Sequence, residues 1–220
     1  MAPRTEEERA AFVREQTTLT AVPLAPELSV YTATAVTPLW FATAQWLEDH
    51  QSDVPFWSVP WAGGQALARY LLDHPEAVAG KRVLDFACGS GLVGVAALRA
   101  GASRVRAVDV DLLAATATRL NAGANGVSLA ALEIVTADLV GGDLDDVDVL
   151  LAGDVWYERD ASARFRDWFR ALAAAGIRVL TGDPGRLHVP RRARELARYQ
   201  VPTPFELESV GERTARVLEM

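Results

Sequence analysis

The sequence predicts an α/β fold: a Rossmann-like sheet of seven strands, mostly parallel, with helices on both faces and one antiparallel strand near the C-terminus. Three observations carry this reading. Five short apolar segments alternate with amphipathic helical segments between Arg82 and Thr181, the pattern of buried parallel strands joined by helical crossovers. A glycine-rich turn, Ala87-Cys88-Gly89-Ser90-Gly91, follows the first of these strands. Two further strand-like segments close the chain with no helix between them, which inserts an antiparallel strand at one edge.

Taken in order, Thr5 and Glu8 form a capping box, so the run to Gln16 reads as a short amphipathic helix. Thr17 to Gln51 is mixed. Pro23, Pro26 and Pro38 interrupt it, and a helical patch over Leu39 to Asp49 carries Trp40, Phe41, Trp46 and Leu47. Residues 1–59 are expected to form a helical cap over one mouth of a core spanning 60–220, the whole being a single domain. In the core, Gln65 to His74 has Ala66, Leu67, Tyr70 and Leu71 at helical spacing and stops before Pro75. The five strands are Arg82 to Phe86, Arg104 to Asp109, Leu132 to Thr136, Val147 to Ala152 and Ile177 to Thr181. Helices are expected over Leu92 to Ala100, closed by Gly101, and over Leu112 to Ala124, ending at Asn125-Gly126. A third runs from Ala163 to Ala175, with Phe165, Trp168, Phe169 and Leu172 on one face and Gly176 as its stop. An Arg-rich helix is expected over Arg191 to Arg198. A hairpin of Phe205 to Val210 with Thr214 to Leu218, turning at Gly211-Glu212, ends the chain.

A chain of 220 residues that is 50% hydrophobic and 23% charged can bury a large core. Its 22 basic against 29 acidic residues leave a charge of −7, which disfavours nucleic acid as a partner. Cys88 is the sole cysteine, and with only His50, His74 and His188 beside it neither a disulfide nor a structural zinc site can be assembled. The amino terminus is acidic through Glu6, Glu7 and Glu8, with no apolar segment behind a basic start, and no apolar run is long enough to span a bilayer. The expectation is a soluble, cytoplasmic monomer without a membrane, metal or nucleic-acid partner.

Glycines at a strand-to-helix turn let backbone approach a ligand closely. Gly89, Gly91 and Gly94 satisfy G-x-G-x-x-G, and Asp109 lies 18 positions beyond Gly91, the layout of a dinucleotide site with its ribose-binding acid. Asp85 argues for another ligand. A carboxylate at the strand end repels a pyrophosphate and attracts an ammonium. S-adenosylmethionine carries an ammonium, a sulfonium, a ribose and an adenine, and no phosphate. Asp111 reads as a helix N-cap, and Asp138, after the third strand, is placed to meet the adenine edge.

The fourth strand leads into Gly153-Asp154-Val155-Trp156-Tyr157. Asp154 and Tyr157 are three apart, so a turn can point both into one cleft at the carboxyl ends of the strands. The pair suits methyl transfer to an amine. Neutralising a lysine of pKa about 10.4 costs about 4–5 kcal/mol at pH 7, and a nearby sulfonium in a dry pocket lowers that cost. Asp154 can then accept a hydrogen bond from the amine and aim its lone pair, with Tyr157 as a brace. Trp57 and Trp156 are the expected π faces for a methylated ammonium in the substrate site.

Several segments together resemble the seven-β-strand protein-lysine methyltransferases, in particular those acting on the electron-transfer flavoprotein β subunit and their bacterial relatives. They are Pro55-Phe56-Trp57, Trp61 to Tyr70, Val83 to Gly91, Val108 to Asp111, Asn121 to Gly126, Gly153 to Tyr157 and Gly182-Asp183-Pro184-Gly185-Arg186. The resemblance implies a class I methyltransferase fold with S-adenosylmethionine as cofactor. It assigns cofactor binding to Trp61, Asp85, Gly89, Gly91 and Asp109, with Ala87, Ser90, Val110 and Asp138 completing the expected set. It links Asp154 and Tyr157 with the target lysine. The favoured protein substrate is the electron-transfer flavoprotein β subunit; ribosomal protein L11 or a small amine is the alternative acceptor. A cofactor-binding module without transferase activity and an NAD-dependent oxidoreductase are the readings from other classes. Ala87 and Ala62 depart from the family, which usually has glycine and frequently proline at these positions.

Overall fold

A computed structural model describes residues 5–34, 37, 39, 54–203 and 210–220. Its centre is a seven-stranded sheet built from β3 (Arg82–Phe86), β4 (Arg104–Asp109), β5 (Leu132–Thr136), β6 (Val149–Gly153), β7 (Arg178–Asp183), β8 (Arg194–Pro202) and β9 (Glu212–Glu219). The strand order is β5-β4-β3-β6-β7-β9-β8. Pairings among β3 to β7 are parallel, and β9 runs antiparallel between β7 and β8. Among the described residues the α-helices are α1 (Glu6–Gln16), α2 (Ala62–Asp73), α3 (Leu92–Arg99), α4 (Leu112–Ala124) and α5 (Arg159–Ala174). None is long and apolar enough to cross a membrane among the described residues.

The central strands are buried because both faces are covered. On one face Ala66, Leu67 and Leu71 of α2 and Val95 and Ala96 of α3 pack on Val83, Val105 and Leu151. On the other, Trp168, Phe169 and Leu172 of α5 meet Leu84, Phe86 and Leu150. Phe86 makes edge contacts with Phe165, Trp168 and Phe169 at centroid distances of 5.1–5.5 Å. This alternation around β3 is the reason the sequence reads as continuous apolar runs.

The capping box forms: Glu8 N–H donates to Thr5 Oγ1, and Thr5 N–H donates to Glu8. After α1 the chain departs from the expected helical cap. An antiparallel hairpin of β1 (Thr18–Val22) and β2 (Ala25–Thr32) turns at Pro23-Leu24. Thr18, Thr20, Val22, Val30 and Thr32 supply β-branched side chains, and burial in β2 alternates at Leu28, Val30 and Thr32. The hairpin lies against the helices of one sheet face. Asn121 Oδ1 accepts the Tyr31 N–H and Asn125 Oδ1 the Ser29 N–H, satisfying an edge that would otherwise be open. The helical patch expected over Leu39 to Asp49 falls, save for Leu39, outside the described residues.

The Arg-rich segment is also corrected. Arg191 to Arg198 is not a helix: Arg194–Pro202 is strand β8, paired with β9 through a bulge between Glu195 and Ala197. Arginine has good helix propensity, but the segment's apolar residues, Leu196, Ala197, Tyr199 and Val201, pack on the core only as a strand. The final hairpin therefore joins β8 to β9, and the strand expected over Phe205 to Val210 falls, save for Val210, outside the described residues.

Candidate functional site

The carboxyl ends of β3, β4 and β6 open into a cleft of about 850 Å³, walled by Phe86, Asp109, Val140, Asp154, Phe165 and Arg186, among others. Ligands gather at this end of open α/β sheets. A side cavity of about 60 Å³ runs under the glycine loop, between Asp85, Ser90 and Trp61.

The loop is shaped by left-handed backbone. Ala87, Gly89 and Gly91 have φ of 51°, 52° and 73°. A Cβ at Gly91 would lie 2.6 Å from Thr118 Cγ2, so only glycine fits where α3 begins. Asp109, at the end of β4, ties the loop down: its Oδ2 accepts the Gly89 N–H at 2.8 Å and its Oδ1 the Asp111 N–H at 3.1 Å. Asp111 caps α4 by accepting the Leu113 N–H, as expected. Asn121 Nδ2 donates to the Ser90 carbonyl, so one asparagine holds both the loop and the N-terminal hairpin. Ser90 itself is buried, facing the side cavity. Val110 is exposed at the cleft rim.

Asp85 is only 1% exposed. Its Oδ2 accepts the Gly94 N–H at 2.8 Å, and Gly94 leaves no space for a Cβ, which would sit 2.9 Å from that oxygen. Burial pushes its carboxyl up to about 8, opposed by the Gly94 hydrogen bond and reinforced by the charge of Asp109. Asp138 lies across the cleft, where it accepts the Val140 N–H and pairs with Arg164; the backbone hydrogen bond first and the arginine second hold its carboxyl down.

Asp154 follows β6 in the left-handed region, with φ of 59°. It is buried, yet it stands in the cleft wall. Its Oδ2 accepts the Gly63 N–H from the first turn of α2 at 2.9 Å, and its Oδ1 accepts Arg186 Nε at 2.8 Å. The α2 turn reaches it because glycines meet backbone to backbone. A Cβ on Gly63 would lie 2.3 Å from the Gly182 carbonyl oxygen, and one on Gly153 would lie 2.8 Å from Gly64 Cα. The helix accordingly starts at Ala62, ahead of the expected Gln65.

Tyr157 and Trp61 complete the mouth. The Tyr157 ring lies 5.6 Å from Phe56, which is 6.3 Å from Trp61. Burial, then the charges of Asp109 and Asp154, push the Tyr157 phenol up, so it remains a donor. The two expected substrate tryptophans are corrected. Trp156 is fully buried in the core, donating to Thr181 Oγ1 at 2.8 Å, and offers no face to a ligand. Trp57 stands in the wall but is 2% exposed, packed with Leu113, Ala114 and Ala117. Among the described residues, the exposed aromatic side chains at the mouth are Phe56 and Tyr157, with Trp61 half-buried beside them under Arg186. The sequence reading also missed Arg186 and Arg164. Arg186 closes the Gly182–Arg186 segment, but nothing in its spacing ties it to Asp154. No group of three metal-ligating side chains occurs among the described residues.

The site suits S-adenosylmethionine. Glycines that a Cβ would fill leave backbone room, Asp85 is buried without a counter-cation among the described residues, and apolar Val140 and Phe165 flank Asp138 for a flat ring.

Comparison with known proteins bears on the same residues. The ribosomal protein L11 methyltransferase (PrmA) family profile matches residues 66–153. The electron transfer flavoprotein beta subunit lysine methyltransferase of Danio rerio is 37% identical, with 86% of this chain and 73% of that protein covered. Its namesake in Xenopus laevis is 35% identical over 91% of this chain and 82% of that protein. Among solved structures, a candidate RNA methyltransferase from Pyrococcus horikoshii superposes with a TM-score of 0.54 at 18% identity, over 71% of this chain and 82% of that one.

Proposed function

The chain belongs to the electron transfer flavoprotein beta subunit lysine methyltransferase family, and from that premise we propose that it methylates lysine side chains of the electron-transfer flavoprotein β subunit. It is an S-adenosylmethionine-dependent methyltransferase. When bound, S-adenosylmethionine supplies an electrophilic methyl group on a sulfonium.

The chain's own residues do the rest. The Asp109-tethered loop and the side cavity at Asp85 hold the donor, Asp85 ionising as the donor's ammonium arrives beside it. Asp138, with Val140 and Phe165, receives the adenine, and exposed Val110 borders it. Asp154 accepts a hydrogen bond from the acceptor amine and aims its lone pair, and the Tyr157 hydroxyl braces it. Phe56, Trp61 and Tyr157 flank the path of the incoming lysine side chain with aromatic surface. The released proton leaves to solvent at the open mouth.

The carrying observation is the buried Asp154 carboxylate set in the cleft wall beside Tyr157. It counts against a module that merely binds cofactor, which has no use for an amine-orienting pair. The L11 methyltransferase match ends at Gly153, one residue short of Asp154. It therefore covers the cofactor half and leaves the acceptor half to the lysine methyltransferase likeness. The net charge of −7 fits a protein acceptor better than nucleic acid, and the reading takes the chain as a monomer working in the cytoplasm.

The test is transfer of labelled methyl to purified electron-transfer flavoprotein β subunit, with ribosomal protein L11 and free lysine as comparators. Asp154→Asn is expected to slow transfer by about 10²-fold or more, the scale of a lost positioning interaction. Its cofactor affinity by calorimetry should stay near wild type. Full transfer by Asp154→Asn, or preference for L11, would reject the assignment.

A further inference from the structure

Asp154 already has a cation. Arg186 Nε donates to its Oδ1 at 2.8 Å, and the Arg186 guanidinium carbon stands 6.0 Å from the Trp61 ring centroid. A carboxylate beside an aromatic face is the surrounding that recognises a cationic amine. Both partners of that surrounding are thus engaged by a side chain that itself lines the cleft and is 23% exposed.

We propose that Arg186 is a specificity-determining residue: its guanidinium fills the acceptor-ammonium subsite between Asp154 and Trp61, and the incoming lysine must exchange with it. This rests on the lysine methyltransferase reading above and deepens it. The exchange is a side-chain swing, because the backbone is fixed. Asp183 Oδ1 accepts the N–H groups of Gly185 and Arg186 at 2.7 and 2.9 Å, locking the turn after β7. Leu187, next in sequence, is 88% exposed on the irregular segment leading to β8, so a protein docked there can cover the swung arginine. A small free amine brings no such surface, and Arg186 therefore selects protein-borne lysine over small amines.

The experiment uses the full chain saturated with S-adenosylhomocysteine and n-butylamine as the side-chain probe. Arg186→Gln should bind n-butylamine about 10-fold tighter in calorimetry, the lower end expected when a charged hydrogen-bonded competitor is removed. Arg186→Lys, which keeps the cation, should stay near wild type. In the wild-type chain, n-butylamine should move the Arg186 Nε–H resonance toward its solvent-exposed value. In transfer assays Arg186→Gln should lower KM for a short lysine peptide more than for the intact protein substrate. Weaker or unchanged amine binding by Arg186→Gln, or a kcat loss at constant KM on both acceptors, overturns the proposal. If Arg186→Gln does not fold, the wild-type resonance decides alone: no shift on saturation with n-butylamine rejects the exchange. Because amine binding is read without transfer, a wild-type chain that methylates no lysine sinks the functional reading and leaves these outcomes intact.

Discussion

Asp85 and Asp154 stand at the carboxyl ends of neighbouring parallel strands, both buried, and they are solved differently. Each accepts one backbone N–H from the first turn of a helix: Gly94 for Asp85, Gly63 for Asp154. Only Asp154 has an arginine as well. Asp85 has no counter-cation among the described residues, and burial holds its carboxyl near 8. A buried acid with one amide partner is under-compensated. On the proposed reading, the difference has a use: the Asp85 half receives a cation from outside, whereas the Asp154 half brings its own and gives it up to the acceptor.

The largest expected effect breaks the Asp85 side. Because its folded-state pKa of about 8 lies above the ordinary 3.8, the folded protein holds this proton more tightly than the unfolded chain. The group's contribution is full below pH about 4 and is lost as pH rises through about 8. The maximal slope for one proton is about 1.4 kcal/mol per pH unit. Asp85→Asn stays neutral throughout, so its stability advantage over wild type should grow from near zero at pH 4 to its largest value at pH 9. Urea melts across that range measure it, and a pH-independent gap would mean that Asp85 is compensated after all. The same variant should weaken S-adenosylmethionine binding, since the ammonium loses its carboxylate.

The contrast also explains what was legible in the sequence. The proposed cofactor half is local: Asp85, the glycine loop and Asp109 lie on two strand ends, and the roles expected of them follow from turn chemistry that each segment displays by itself. The acceptor half is assembled from residues near 56–64, 153–157 and 182–186, which meet only after the sheet has formed. Asp154 and Tyr157 are visible as a pair, but Arg186 is not, since its partner lies 32 residues away at the end of another strand. Trp156 was misread because residues alternating after a strand end do not reveal which one turns back into the core. The β8 error has the same origin: helix propensity is local, and the pairing that overrode it is not.

A medium-sized effect tests how Asp154 receives its amide. A Cβ on Gly63 would meet the Gly182 carbonyl oxygen at 2.3 Å and the Asp154 amide nitrogen at 2.9 Å. Both are backbone, so neither yields cheaply. Gly63→Ala should destabilise the fold by about 3 kcal/mol, the upper range for overpacking. Gly64→Ala is the internal control, because its Cβ would meet only a Val93 methyl at 4.0 Å. Placed in α2, that alanine should be neutral or stabilise by up to about 1 kcal/mol through helix propensity. Equal melting temperatures for the two variants would show that the glycine contact does not position α2.

The smallest effect lies in the loop above Asp85. Ala87 and Asp154 are the non-glycine residues with positive φ among those described, at 51° and 59°. Aspartate tolerates that region through its short polar side chain, whereas alanine pays for it with steric strain of about 1–2 kcal/mol. Ala87→Gly removes the strain but adds conformational freedom to the unfolded chain, worth about 0.4–1 kcal/mol in the opposite direction. The balance should favour the variant by about 0.5 kcal/mol in urea melts. S-adenosylmethionine affinity should change little, because the loop's hydrogen bonds come from Gly89, Gly91 and Cys88, not from the Ala87 side chain. Destabilisation by Ala87→Gly instead would mean that the methyl group packs well enough in the cleft wall to outweigh its backbone strain, and that the departure from glycine is an adaptation of this site.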